Sequence, residues 1–323
     1  MELTSDYFIG QYPEIAVDGF NQKIWKRKEF HDQNIAMSGL KGHQRRLQRY
    51  ASPVTPYDEV LLFHEMGTGK TRSALAIAEN ALQAGRGINK VVILGPNSKL
   101  IRKVFTKELS KMKNISLEDA KKYMRKKYIF STYTTFSGNY ISGQNPQSLK
   151  KKWNNTVFIL DEVHNLTRNI WKKNSSKAMF TRFRFLFNHE RTPNRKIVLL
   201  SGTPMVDDAR DILPIMNLIL PGDNKLTLTN LEQFIKGRVS YLKSDIRGSV
   251  PKVIVEGEIK APMQYLELDY INMSEFQTAA YNQVKDGEDG GVINEADEGI
   301  GGNAFLRAQR NVALFAFPKK NKL

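Results

Sequence analysis

The stretch Val60-Leu61-Leu62-Phe63-His64-Glu65-Met66-Gly67-Thr68-Gly69-Lys70-Thr71 decides the fold. Four apolar residues lead into a small Gly-rich turn, and the helix-forming run Ser73-Ala74-Leu75-Ala76-Ile77-Ala78 follows. Buried strand, loop and helix, in that order, are the context a phosphate-binding P-loop requires. Gly67 and Gly69 let the backbone curl so that N–H groups between Met66, Thr68 and Lys70 aim at one anion. The helix starting near Lys70 adds its positive N-terminal end. Lys70 is then placed to reach the β- and γ-phosphates of ATP, and the Thr71 hydroxyl to hold Mg²⁺. The complete pattern wants a glycine where His64 stands, so a chance Gly-rich turn capping a helix is the bland alternative.

Further along the chain, short apolar runs end in small or acidic residues. Lys90-Val91-Val92-Ile93-Leu94 stops at Gly95-Pro96, and Tyr128-Ile129-Phe130-Ser131 runs into Thr132-Tyr133. Thr156-Val157-Phe158-Ile159-Leu160 ends at Asp161-Glu162-Val163-His164-Asn165, and Arg195 to Leu200 ends at Ser201-Gly202-Thr203-Pro204. Helical stretches separate these runs, at 98–111, 167–189 and 207–220. Strands alternating with helices predict an α/β domain with a parallel sheet covered on both faces. Ligands of such sheets sit at the carboxyl ends of the strands, where every one of these motifs falls.

Beside a P-loop, Asp161 is suited to hold Mg²⁺ and Glu162 to polarise the attacking water. Successive strand residues face opposite ways, so a turn at the strand end must bring both carboxylates to one site. Ser201 and Thr203 are suited to bond the acidic motif and relay nucleotide state. A carboxamide such as Gln44, just upstream of the P-loop, can donate to and accept from an adenine edge. Taken singly, each has an ordinary structural explanation: a loop acid, a turn hydroxyl, a surface glutamine. Their order, each directly after a strand, makes coincidence a poor account.

The chain has 323 residues, net charge +16 and pI about 9.7. Such a basic balance points to a polyanion, most simply nucleic acid, although a Lys-rich soluble surface would also produce it. Residues 107–127 are especially basic. There are no cysteines, which excludes disulfides and thiolate metal sites. No apolar run approaches the ~20 residues needed to cross a bilayer, so no membrane is expected as a partner. Three segments are expected: an N-terminal extension over 1–39, the ATP-binding domain over 40–223, and an accessory region over 224–323. In the last, strands are expected at 238–242, 253–255 and 265–268, a helix from Ser274, a mobile Gly- and acid-rich stretch at 286–302 and a final helix at 305–317.

The P-loop, Asp161-Glu162-Val163-His164 and Ser201-Gly202-Thr203-Pro204 together resemble a superfamily 2 helicase of the Asp-Glu-x-His kind, over about 40–318. With Asn217-Leu218-Ile219-Leu220-Pro221-Gly222 and Ile271-Asn272-Met273-Ser274, they are most similar to the nucleoside triphosphate phosphohydrolase I and early-transcription-factor ATPases of poxviruses and other large DNA viruses. The resemblance implies a RecA-like P-loop domain that couples ATP hydrolysis to movement on nucleic acid, DNA rather than RNA, in viral transcription. A virion or host-cytoplasm location is implied with it. His64 is usual at its position in that group. Gln44 matches the adenine-sensing glutamine, His164 a coupling residue, and Ser201, Gly202 and Thr203 the third motif. Gly95, Pro96, Ser131, Thr132 and Tyr133 match the positions that track the nucleic-acid backbone. A second RecA-like domain ending in Gln-x-x-Gly-Arg-x-x-Arg is also implied, and that motif does not occur here. The expectation is a fragment, a truncated gene or half of a split enzyme, with weak turnover by itself. A nucleotide kinase is the first rival, but gives no reason for the second and third motifs. A non-catalytic module binding ATP and nucleic acid is the second rival.

Overall fold

A computed structural model describes residues 12–15, 17–31, 39–168, 170, 173–187, 194–205, 208–220 and 226–243, and a few positions between 274 and 282. The strands expected at 253–255 and 265–268, the stretch at 286–302 and the helix at 305–317 lie outside the described residues. Contacts divide the chain into two units, Met1–Ile246 and Arg247–Leu323. In the second, Ser274 Oγ accepts from Gln277 N at 3.2 Å, the capping bond expected of a helix start there.

Within the first unit the order is α1 (Phe20–Trp25), α2 (Lys28–His31), α3 (Gly42–Tyr50), β1 (Glu59–His64), α4 (Lys70–Gln83) and β2 (Lys90–Gly95). Then come α5 (Ser98–Lys113), α6 (Leu117–Lys127), β3 (Tyr128–Thr132), α7 (Tyr133–Phe136), α8 (Pro146–Trp153) and β4 (Thr156–Leu160). Next are α9 (His164–Thr167), α10 (Asn174–Phe187), β5 (Arg195–Ser201), α11 (Ile212–Asn217), α12 (Leu231–Ile235) and β6 (Val239–Leu242).

All pairings among the six strands are parallel, in the order β3-β2-β4-β5-β1-β6. The middles of the central strands are continuously apolar because both faces are covered, and alternation divides their side chains between two cores. Leu61, Val92, Phe158 and Ile197 face the core made with α7, α8, α10 and α11. Leu62, Val91, Val157 and Val198 face the core made with α3, α4, α5 and α6. The fold is thus the expected α/β, RecA-like sheet with helices on both sides. Strand β6, beyond residue 223, extends it by pairing with β1.

Helix α6 covers the second half of the basic stretch, which the sequence reading left without a structure. Ser116 caps it by accepting from Asp119 N at 3.0 Å, and Ala120 and Met124 bury its one apolar stripe. The helix expected over 207–220 is shorter. A 3₁₀ turn at Ala209–Asp211 runs into α11, where Pro214 sits in the first turn and removes no needed N–H. Before the sheet, Phe20, Ile24 and Phe30 pack with Tyr57 in a separate small core.

Candidate nucleotide site

The site forms where β1, β2, β4 and β5 end. Gly67 and Gly69 have φ of 79° and 88°, in the left-handed region that favours glycine. Gly69 is doubly constrained, since a Cβ there would meet Gln44 Nε2 at 2.5 Å. Helix α4 starts at Lys70, so its unpaired N–H groups open into a cleft of about 480 Å³. Gln44, Gly67, Gly69, Lys70 and Thr71 line this cleft, with Val104 and Glu108 of α5 on its other wall. Lys70 Nζ donates to the carbonyls of His64 (2.8 Å) and Glu65 (3.4 Å), which folds the lysine back over its own loop.

Gln44 lines the cleft, but its carboxamide is already engaged. Its Oε1 accepts from Lys41 N at 2.9 Å, capping α3, and its Nε2 donates to Gly69 O at 3.4 Å. It therefore ties α3 to the P-loop backbone rather than presenting both groups to a base.

The acidic motif is built by three tethers. Asp161 N donates to Leu94 O at 2.7 Å, Val163 N to Leu200 O at 3.0 Å, and Tyr133 Oη to Asp161 O at 2.7 Å. Between the first two tethers Glu162 adopts φ 51°, a left-handed conformation that is uncommon for a non-glycine residue. This is the turn that the two adjacent carboxylates require. Burial first, and the Glu162 charge second, push the Asp161 carboxyl up to about 6, against the opposing field of Lys70.

His164 joins the acidic motif to the next strand end. Its Nδ1 lies 3.0 Å from Ser201 Oγ and 3.5 Å from Glu162 Oε2. Asn165 Nδ2 lies 3.2 Å from His164 Nε2 and donates to Glu162 O at 3.1 Å. An amide donor against Nε2 assigns the ring proton to Nδ1, which donates toward Ser201. Ser201 Oγ also accepts from Thr203 N at 3.1 Å, so one hydrogen-bonded line runs from Asn165 through His164 and Ser201 to Thr203. Burial lowers the His164 pKa and keeps the ring neutral.

Residues 29–205 match the family described as Type III restriction enzyme, res subunit. The chain belongs to this family. It is a helicase-family domain, and the two curated relatives described next are viral proteins. Protein 087L of Invertebrate iridescent virus 3, which carries a helicase name, is 29% identical over 87% of this chain and 30% of its own length. The early transcription factor 70 kDa subunit of Yaba monkey tumor virus is 30% identical over 70% of this chain and 35% of its own. The chain thus spans about a third of the length of these relatives. A Sulfolobus solfataricus SWI2/SNF2 ATPase core in complex with dsDNA superposes at TM-score 0.45 and 18% identity, over 79% of this chain and 55% of that one.

The motor domain divides the residues expected to track nucleic acid. Pro96 is exposed and Thr132 half-buried, both at strand ends. Gly95, Ser131 and Tyr133 are buried, and their surroundings account for them. A Cβ on Gly95 would meet Ile101 Cδ1 at 2.4 Å and Asp161 O at 3.1 Å, so glycine there lets β2 and β4 end side by side. The Tyr133 ring belongs to a core and its hydroxyl holds the acidic turn.

Sequence reasoning missed the support of the P-loop by β6. His64 is fully buried, with Nε2 2.9 Å from Ser240 Oγ and its ring edge-on to His43 at 5.9 Å. His43 Nε2 in turn lies 3.2 Å from Thr68 O. Burial, then the neighbouring His43 and Lys70, hold His64 down at about 4, so it is neutral and works as a spacer and hydrogen-bond partner. The only sequence signal was a histidine where a glycine was expected. Among the described residues no helix is long and apolar enough to cross a membrane.

Proposed function

We propose that this domain binds ATP·Mg²⁺ at the β1–α4 cleft and is the first motor domain of an enzyme that moves along DNA in viral transcription. One observation carries the reading: Lys70, the Asp161–Glu162 pair and the His164–Ser201 bond converge on one sheet edge, beside a helix N-terminus opening into a cleft. Phosphates entering there would meet the free N–H groups of α4. Lys70, exchanging the His64 and Glu65 carbonyls for phosphate oxygens, would supply the cation.

Thr71 and Asp161 are the residues that would hold Mg²⁺, and a buried acid raised by an adjacent acid fits a cation arriving with the nucleotide. Bound there, the ion would neutralise charge on the phosphate oxygens. Glu162 would orient the attacking water and take its proton. His164, bonded to Ser201, would carry any shift of Glu162 to the Ser201–Thr203 turn.

The relatives' names favour helicase and transcription roles, and the exposed strand ends at Pro96 and Thr132 are where a DNA backbone would lie. Relatives named as early transcription factor subunits fit a DNA track and others named as ATP-dependent RNA helicases fit an RNA one; we take DNA, and the setting would be the virion or host cytoplasm. The transferring phosphoryl also needs an arginine from a facing domain, worth about 10³- to 10⁵-fold in related NTPases. The 323 residues alone should therefore turn over slowly. Phosphate release with and without duplex DNA tests this, with Glu162→Gln as the blank. Near-background turnover is expected. Brisk, DNA-stimulated, Glu162-dependent turnover would mean that the site is complete within these residues.

A further inference from the structure

The edge of the sheet opposite the nucleotide cleft carries a concentration of positive charge that nothing above uses. Strands β3, β2 and β4 are neighbours; lysine-rich helix ends lead into β3 and β4, and a single lysine opens β2. Arg125, Lys126 and Lys127 form the last turn of α6 and run directly into β3. Lys150, Lys151 and Lys152 lie at the end of α8, just before β4. Lys90 opens β2 between them, and the register pairs Val91 with Tyr128 and Lys90 with Thr156.

The parallel register sets these seven residues at one end of the sheet, and Lys90 and Lys152 lie side by side there. Lys90 Nζ donates to the Lys152 carbonyl, and the two ammonium groups lie over the same Trp153 ring at 5.6 and 5.5 Å. Burial first and the Lys152 charge second push Lys90 below the usual lysine range. Lysines in a helix's last turn also suit the macrodipole, but that does not require Lys90, on a strand, to lie beside Lys152. None of the seven makes an ion pair among the described residues. The acids of α6, Glu118 and Asp119, sit at its other end. The nearby Asp58 and Glu59 are committed to Lys196 and Arg195.

We propose that this amino-terminal edge is a second nucleic-acid surface, which holds a duplex by its phosphates. Three strands spaced about 4.8 Å apart span about 10 Å. A duplex presents a charge every ~1.7 Å along its axis, about six over that span. An extended acidic peptide, at ~3.3 Å per residue, presents about three. The duplex is therefore the better match to seven cations. Single strands are bound with aromatic platforms for their bases, and the rings here are committed to packing: Trp153 and Tyr128 are buried, and Tyr140 packs at a tilt against Phe136 and edge-on to Trp153. A five-residue strand, about 17 Å long, separates this edge from the nucleotide cleft. The surface would grip DNA independently of nucleotide state.

The test is the salt dependence of binding to a labelled duplex, by the 323-residue chain and two triple variants. One variant carries Lys126→Gln, Lys127→Gln and Lys151→Gln. The control carries Lys23→Gln, Lys26→Gln and Lys28→Gln, equally exposed and equal in charge. The first should lower the slope of log K against log salt by about 2–3 and weaken binding at low salt about tenfold or more. It should leave ATP affinity unchanged, and the control should lower the slope by less than about 1. Equal slopes for the two variants would overturn the proposal. So would a single strand bound as tightly as the duplex, or polyglutamate displacing the duplex at equal charge.

Discussion

The two ends of the β1–β5–β4 region bury charge in opposite ways. At the amino end, Arg195 and Lys196 are each 3% exposed although they open an apolar strand. Lys196 Nζ donates to Asp58 Oδ1 at 2.8 Å and to the Thr55 and Tyr57 carbonyls at 3.2 Å, so all three of its protons are used. Arg195 reaches Glu59 at 3.0 Å, but its Nε and Nη1 are left without partners. At the carboxyl end the arrangement is reversed. Asp161 has another carboxylate as its close neighbour, and Lys70 spends its protons on neutral carbonyls. Charge matched to charge within the sheet is architecture. A raised acid beside a retracted lysine at a helix N-terminus is a site awaiting a charged ligand.

The contrast can be broken first at the amino end, where the effect on stability should be largest. Replacing Lys196 with Met takes the ammonium away from Asp58 and two carbonyls; removal of one partner of a buried pair typically costs about 3–5 kcal/mol, and the lower end is expected with Asp58 partly in solvent. Denaturant unfolding should show that loss, while the surviving folded protein keeps its nucleotide affinity. A loss of affinity with little loss of stability would mean that this end also serves the site.

At the carboxyl end, neutralising a charge should help the ligand-free protein. The folded-state pKa of Asp161, about 6, lies above its ordinary 3.8, so the folded state binds this proton more tightly. The stability it contributes is full below the ordinary value and is lost as pH rises through about 6. Asp161→Asn should therefore raise the melting temperature near neutral pH by a few degrees. A two-unit shift caps the gain at about 3 kcal/mol. The difference from wild type should vanish toward about pH 4, as the native acid takes up its proton. A variant less stable than wild type at neutral pH would show that Asp161 is already satisfied.

The carboxyl end was the more legible of the two. Gly67, Gly69, Asp161 and Ser201 each follow an apolar run, so their positions and their common edge could be read locally. What escaped depended on distance in sequence. The left-handed turn at Glu162 comes from tethers to Leu94 and Leu200, in different strands. The contact between His64 and Ser240 spans 176 positions, and β6 looked like part of an appendage. Arg195 and Lys196 are legible as the start of a strand but not as buried ion pairs, because their partners Glu59 and Asp58 lie at the start of another strand. Tyr133 matched a position that tracks the nucleic-acid backbone, since nothing local shows that its hydroxyl reaches Asp161 O. Glu79, fully inside α4, accepts from Tyr123 and Tyr128 and pairs with Lys113 at 2.6 Å, a cluster that no sequence period announces.

Lys70 tests the central claim most directly, because its two bonds to carbonyls are easily given up and among the described residues it makes no ion pair. Titration calorimetry of Mg²⁺·ATP against wild type and Lys70→Ala should show binding to the first and a loss of about 2 kcal/mol or more, over tenfold, in the second. The variant should melt within a few degrees of wild type, since Lys70 contributes only two hydrogen bonds, both to main-chain carbonyls. Equal affinity in a folded Lys70→Ala protein would contradict the assignment of this cleft as the nucleotide site.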